Sequence, residues 1–174
     1  MTKERKGVVT FKGGPLTLLG AELKAGDKAP DFKLLANNLS EVSLQNFKGK
    51  TLLISVVPSL DTPVCDLQTK RFNEEAAKLP ASVVVVTVSA DLPFAQARWC
   101  GAAKAMKVQT LSDHRELAFG TAYGVAIKEL RLLSRSIFVV APDGKLQYAE
   151  VVPEVTQHPN YDKALDVLKA GARA

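Results

Sequence analysis

The chain has 174 residues, 47% of them hydrophobic and 24% charged, which is the make-up of an ordinary globular protein and the length of one domain. Its 23 basic and 18 acidic side chains leave a net charge of +5, spread along the chain except for a small cluster at Lys3–Lys6, so neither a nucleic-acid nor a membrane footprint is expected. No apolar run reaches the ~20 residues of a bilayer span and no signal-peptide core of ~7 to 15 apolar residues opens the chain, so a cytoplasmic location is expected.

In chain order, Val8–Phe11 and Leu16–Leu19 flank Gly13-Gly14-Pro15 and predict an N-terminal β-hairpin over about residues 8–19, read as an appendage to the main fold. Gly26, Pro30 and Asn37-Asn38 punctuate the stretch that follows. The run Thr51–Val57 (TLLISVV) is continuously apolar and suits a strand buried on both faces, as does Ser82–Val88 (SVVVVTV). Between them Val64, Leu67, Phe72 and Ala76 fall at helical spacing, which predicts a helix over 64–79 and a β-α-β unit with parallel strands. Two more helices are expected over Leu92–Cys100, closed by Gly101, and over Arg115–Tyr123 before Gly124. Ser136–Val140 and Leu146–Val152 flank Pro142-Asp143-Gly144, a turn sequence that predicts an antiparallel pair. Tyr161–Ala170 is an amphipathic helix. A βαβ half joined to a ββα half predicts an α/β, thioredoxin-like fold with a mixed central sheet flanked by helices on both faces. No repeat or linker interrupts it, so residues 1–174 are expected to form a single domain.

The stretch Pro58-Ser59-Leu60-Asp61-Thr62-Pro63-Val64-Cys65 joins the first core strand to the first core helix, at the sheet edge where α/β proteins favour ligand sites. With Thr62 as N-cap, Pro63 takes the first helical position and Cys65 the third. Unpaired N–H groups and the positive end of the helix dipole favour an anion there, so the thiol is biased toward its reactive thiolate. The Thr62 hydroxyl can donate to the sulfur and accept from it. Asp66 works against the thiolate unless it points away, toward Lys70. A fixed cation completes such a site, and Arg135, ahead of the Ser136–Val140 run, is the candidate; the alternatives are a surface arginine, and for Cys65 a small core residue.

Pro58, Thr62 and Cys65 in a PxxxTxxC arrangement resemble the active-site proline, threonine and peroxidatic cysteine of the peroxiredoxin family. The longer string PSLDTPVCDLQTKRFN, the segment Asp91–Gly101 (DLPFAQARWCG) and Ala122–Ile127 (AYGVAI) are similar to its bacterial thiol peroxidase subgroup, and Gly26–Phe32 (GDKAPDF) is shared more widely. The resemblance spans about residues 7–169. It implies that Arg135 is the catalytic arginine, that Cys100 is the resolving cysteine of an atypical two-cysteine mechanism, that thioredoxin is the reductant, and that the assembly is a homodimer. Trp99, before the resolving cysteine, and Lys128-Glu129, after AYGVAI, vary at the periphery.

The implied activity is reduction of hydrogen peroxide and alkyl hydroperoxides through a Cys65 sulfenic acid and an intramolecular Cys65–Cys100 disulfide, with no cofactor and no metal. Cys65 opens its helix whereas Cys100 closes the next, so the two are expected to begin apart and to need local unwinding before a disulfide, whose Cα atoms lie within about 7 Å, can form. A Cys-x-x-Cys oxidoreductase is disfavoured because Gln68 stands where the second cysteine would be. A redox sensor acting by binding is the non-enzymatic alternative. His114 and His158 show no ligand spacing with the cysteines or each other.

Overall fold

The computed structural model describes residues 1–172. It opens with the antiparallel pair β1 (Glu4–Phe11) and β2 (Gly14–Leu19). Their two-residue turn is Lys12-Gly13, with φ of 49° and 81°, the left-handed pair that matches the twist of a tight hairpin. The hairpin therefore begins earlier than residue 8 and turns before the expected Gly13-Gly14-Pro15, since Gly14 and Pro15 already pair with Phe11 and Thr10.

β3 (Lys33–Leu35), β4 (Glu41–Ser43) and a 3-10 turn (Leu44–Phe47) precede β5 (Thr51–Val56), α1 (Pro63–Ala76) and β6 (Val83–Ser89). Then come α2 (Pro93–Ala103), β7 (Gln109–Ser112), α3 (Ala118–Ala122), β8 (Ala126–Ile127), β9 (Leu132–Leu133), β10 (Ser136–Val140), β11 (Leu146–Val151) and α4 (Tyr161–Ala172). Seven strands form one mixed sheet in the order β11-β10-β5-β6-β7-β3-β4, and a second sheet runs β1-β2-β8-β9. The β5–β6 pair is parallel and the β10–β11 pair antiparallel, as the strand patterns predicted.

Every residue of β5 is buried, which is why its sequence shows no polar alternation. On one face Leu53, Val85, Ile137 and Val139 pack with Phe72 of α1 and with Ala164, Leu165 and Leu168 of α4, and Trp99 and Ala103 of α2 border the same cluster. On the other face Leu52, Ile54, Val86, Val88 and Phe138 pack with Phe119 of α3 and with Tyr123, Ala126 and Leu133. The mixed sheet thus carries α1, α2 and α4 on one side, and α3 with the smaller sheet on the other.

Three helical expectations change. The buried stripe of α1 is Cys65, Gln68, Thr69 and Phe72, with Ala76 packing half-buried against the same cluster as Phe72; Leu67, expected on that face, is 54% exposed, because the helix buries a partly polar face against the strand ends. Gly101 lies inside α2, whose alanines let it continue to Ala103 before Lys104 adopts the left-handed cap at φ 54°. α3 starts at Ala118 because Leu117 is left-handed, at φ 53°, and the Asp113 carboxylate takes the Phe119 and Gly120 N–H groups. Gly20, at φ 98°, must lack a side chain: a Cβ there would lie 1.9 Å from the Thr121 carbonyl oxygen.

Candidate active site

β5, an interior strand, delivers Val57 and Pro58 to the C-terminal end of the parallel β5–β6 pair, and the loop 58–62 turns the chain into α1. Asp91, just past β6, fixes that loop: its carboxylate accepts from Ser59 Oγ at 2.7 Å, from the Leu60 N–H at 2.8 Å and from Ser89 Oγ at 2.7 Å. Thr62 is the N-cap of α1 and Pro63 the first helical residue, as expected. The Thr62 hydroxyl makes no bond to the helix backbone. It lies instead 2.6 Å from Cys65 Sγ and 2.9 Å from the Ser59 carbonyl oxygen. With one proton, it either donates to a Cys65 thiolate, or donates to Ser59 and accepts from a Cys65 thiol.

Cys65 is fully buried, among Val57, Leu60 and the edge of Trp99. Its polar partners set it apart from a core-filling cysteine. Arg135, 2% exposed and so not a surface arginine, aims Nη2 at Cys65 Sγ at 3.3 Å. Two further N–H groups are committed: Nε donates to the Val155 carbonyl at 2.9 Å and Nη1 to Gln68 Oε1 at 3.0 Å. Gln68 in turn donates to Ser55 Oγ at 2.8 Å. A buried guanidinium held at three points is a fixed positive charge in low dielectric, which is where charge stabilises an anion most. Asp66 points away from the sulfur, pairing with Lys70 at 2.8 Å and accepting from the Trp99 indole N–H at 2.9 Å.

Pro58, Thr62 and Arg135 line an open cavity of about 460 Å³ whose other walls include Val64, Leu130, Leu132 and Val155. Phe11 and Lys12 from the hairpin tip complete it, so the hairpin is part of the site and not an appendage. Cys100 stands apart from these residues. It is half-buried, near Thr110 Oγ1 at 3.5 Å, and lines a different cavity with Asn37, Ser40 and Met106. Both cysteines are free.

Of the residues singled out in the sequence, Pro58, Thr62, Cys65 and Arg135 come together, while Cys100 does not join them. Gln68, Ser55, Asp91 and the Val155 carbonyl were missed. Gln68 carried a signal, since it lies one turn beyond Cys65 on the same helix face; the others are brought in by tertiary packing.

A βαβ–ββα sheet with a buried, cation-paired thiol at a helix N-terminus defines a thiol-based redox protein of the thioredoxin-like class. The Redoxin family model matches residues 24–165. The chain is 64% identical to a thiol peroxidase of Bacillus subtilis (strain 168) over 162 residues, 93% of this chain and 96% of that one. It is 60% identical to a thiol peroxidase of Halalkalibacterium halodurans, over 93% of this chain and 97% of that one. A crystal structure of a peroxiredoxin-like protein from Aquifex aeolicus superimposes with a TM-score of 0.88 at 41% identity, over 97% of this chain and 98% of that one. The chain belongs to the Redoxin family, among its peroxiredoxin-type thiol peroxidases, and its activity is thiol-dependent reduction of peroxides.

Proposed function

We propose that Cys65 is the peroxidatic nucleophile, with Thr62 and Arg135 stabilising its charge and Pro58 shielding it, and that Cys100 is the intramolecular resolving cysteine. The observation that carries this reading is the convergence of Thr62 Oγ1, at 2.6 Å, and Arg135 Nη2, at 3.3 Å, on one buried sulfur.

The thiolate attacks the nearer peroxide oxygen in line with the O–O bond. The S–O bond forms as the O–O bond breaks, and the departing oxygen takes a proton and leaves as water or alcohol. Arg135 and Thr62 meet the charge as it passes from sulfur to the leaving oxygen, which a preorganised pair of donors does at little reorganisation cost. Cys65 is left as a sulfenic acid. The Cys100 thiolate attacks that sulfur, hydroxide leaves and is protonated to water, and a Cys65–Cys100 disulfide results. A dithiol reductant, thioredoxin in this reading, returns both thiols by exchange. The largely apolar walls of the cavity accommodate alkyl hydroperoxides beside hydrogen peroxide. The same reading makes the whole chain one domain, working as a homodimer in the cytoplasm, where a recycled disulfide remains transient.

Rapid mixing of pre-reduced protein with hydrogen peroxide and cumene hydroperoxide tests these roles. Wild type loses two thiols, Cys65→Ser does not react, and Cys100→Ser accumulates a trappable sulfenic acid. Slow oxidation at the same rate in all three proteins would refute the reading and leave Cys65 without a special role.

A further inference from the structure

The Glu154 carboxylate, between β11 and α4, receives five hydrogen bonds. Oε1 accepts from the Lys12 N–H at 2.9 Å, the Thr156 N–H at 3.1 Å and Thr156 Oγ1 at 2.7 Å. Oε2 accepts from Thr10 Oγ1 at 2.6 Å and the Gly13 N–H at 3.1 Å. Lys12 and Gly13 are the two residues of the hairpin turn, whose outward N–H groups ordinarily face water. Here a carboxylate more than a hundred residues away in sequence takes both. The hydroxyls of Thr10 and Thr156 hold Glu154 well below the usual carboxylate range, so it is charged at neutral pH.

Backbone bonds extend the staple. Thr10 N–H donates to the Pro153 carbonyl at 2.8 Å and Val155 N–H to the Thr10 carbonyl at 2.9 Å. The next group along is the Val155 carbonyl, which accepts from Arg135 Nε. One short strap, residues 153–156, therefore grips the hairpin tip on one side and the guanidinium beside Cys65 on the other.

We propose that Glu154 is a positioning residue of the peroxidase: by clamping the hairpin turn to this strap it fixes the Phe11–Lys12 wall of the substrate cavity and, through the Val155 carbonyl, the aim of Arg135. The inference rests on the roles proposed above for Cys65 and Arg135. A glutamine cannot replace the carboxylate, because backbone N–H groups face both oxygens and its NH₂ would meet one of them in either orientation.

The test is single-turnover peroxide reduction by Glu154→Gln and Thr10→Val, with Arg135→Gln in parallel and thermal unfolding of each. Thr10→Val removes one donor from the staple and leaves the cavity lining intact, so it carries the test even if Glu154→Gln folds poorly. In both variants the rate constant for cumene hydroperoxide is expected to fall at least about tenfold, the scale of a slightly misplaced catalytic group. The constant for hydrogen peroxide, which does not need the Phe11 wall, falls less. A changed ratio of the two substrates separates positioning from simple loss of folded protein, which lowers both equally. Unchanged rate constants, or an equal loss for both peroxides that tracks the unfolded fraction, would overturn the proposal. If Arg135→Gln keeps full activity, it is the underlying reading of the site that fails.

Discussion

Trp99 donates its indole N–H to the Asp66 carboxylate at 2.9 Å, so the residue before Cys100 is tied to the residue after Cys65. The bond crosses from α2 to α1, and the indole also packs at the edge of the Val57, Leu60 and Cys65 cluster. Disulfide formation must bring two Cα atoms within about 7 Å, yet Cys100 faces Thr110 and a cavity that shares no lining residue with the one at Arg135. If Cys100 resolves Cys65 as proposed above, one or both helix segments unwind on the way, and the Trp99–Asp66 bond resists that movement.

Trp99→Phe keeps an aromatic ring and deletes the donor. A net hydrogen bond contributes about 1 kcal/mol; if it breaks before the bridge forms, the resolution step accelerates about fivefold. The sulfenic acid is then shorter-lived, and less enzyme is lost to sulfinic acid at high peroxide. Rapid mixing followed by thiol counting and mass analysis measures both. A resolution rate equal to wild type would mean that the bond survives until after the disulfide has formed.

Arg135 spends its donors on three different acceptors, Val155 O, Gln68 Oε1 and Cys65 Sγ. A lysine cannot reproduce that fork. Arg135→Lys is expected to lower the rate constant for either peroxide by roughly 10²- to 10³-fold, the usual cost of losing one preorganised donor. Gln68→Leu, which leaves Arg135 in place but frees one N–H and the Ser55 hydroxyl from their partner, costs less activity and some stability. Equal activity in Arg135→Lys and wild type would remove the guanidinium from the mechanism.

The segments most legible in the sequence are those whose neighbours are local. Thr62, Pro63 and Cys65 read correctly because capping and proline geometry are decided within one turn, and β5 and β6 because strands buried on both faces are apolar throughout. β8 and β9, two residues each, carry too little pattern to be seen, and β7 begins at an exposed glutamine. The helical face of α1 was read correctly at Phe72 and Ala76 but misplaced in the first turns, because it buries Gln68 and Thr69, which an apolar-period argument assigns to solvent. The hairpin read as an appendage because its place in the site depends on Glu154, distant in sequence and invisible to any local rule. The proximity of Arg135 to Cys65 follows from β10 pairing with β5, which the fold predicted, but its aim depends on Gln68 and Val155.

Thr62→Ser and Thr62→Val separate the hydroxyl from the shape of the side chain. Serine retains a group able to face both Cys65 Sγ and the Ser59 carbonyl, now within 2.6 and 2.9 Å of Thr62 Oγ1, and is expected to keep activity within about threefold. Valine matches the shape without the donor, and a loss on the order of 10²-fold is expected in single-turnover peroxide reduction. If valine performs as well as serine, the sulfur needs no hydroxyl partner.

Asp113 predicts a pH dependence of stability unrelated to catalysis. Burial pushes its carboxyl up from 3.8 to about 6, against the lowering effect of the Gly120 and Phe119 N–H groups and with a smaller upward push from Glu116. A raised folded-state value means that the native protein holds this proton more tightly than the unfolded chain does. The resulting stability is fully present below about pH 4 and is lost as the pH rises through about 6, with a slope of at most about 1.4 kcal/mol per pH unit. Asp113→Asn has no proton to lose there. It still leaves one N–H at the start of α3 facing an NH₂ group, because Phe119 and Gly120 donate to different oxygens; the protonated acid does likewise with its O–H. Urea unfolding at a series of pH values is expected to show wild type well ahead of, or level with, the variant near pH 4, and its relative stability declining toward pH 7. A wild-type-minus-variant difference that stays constant across this window would mean that Asp113 is ionised throughout, its two backbone donors outweighing the cost of burial.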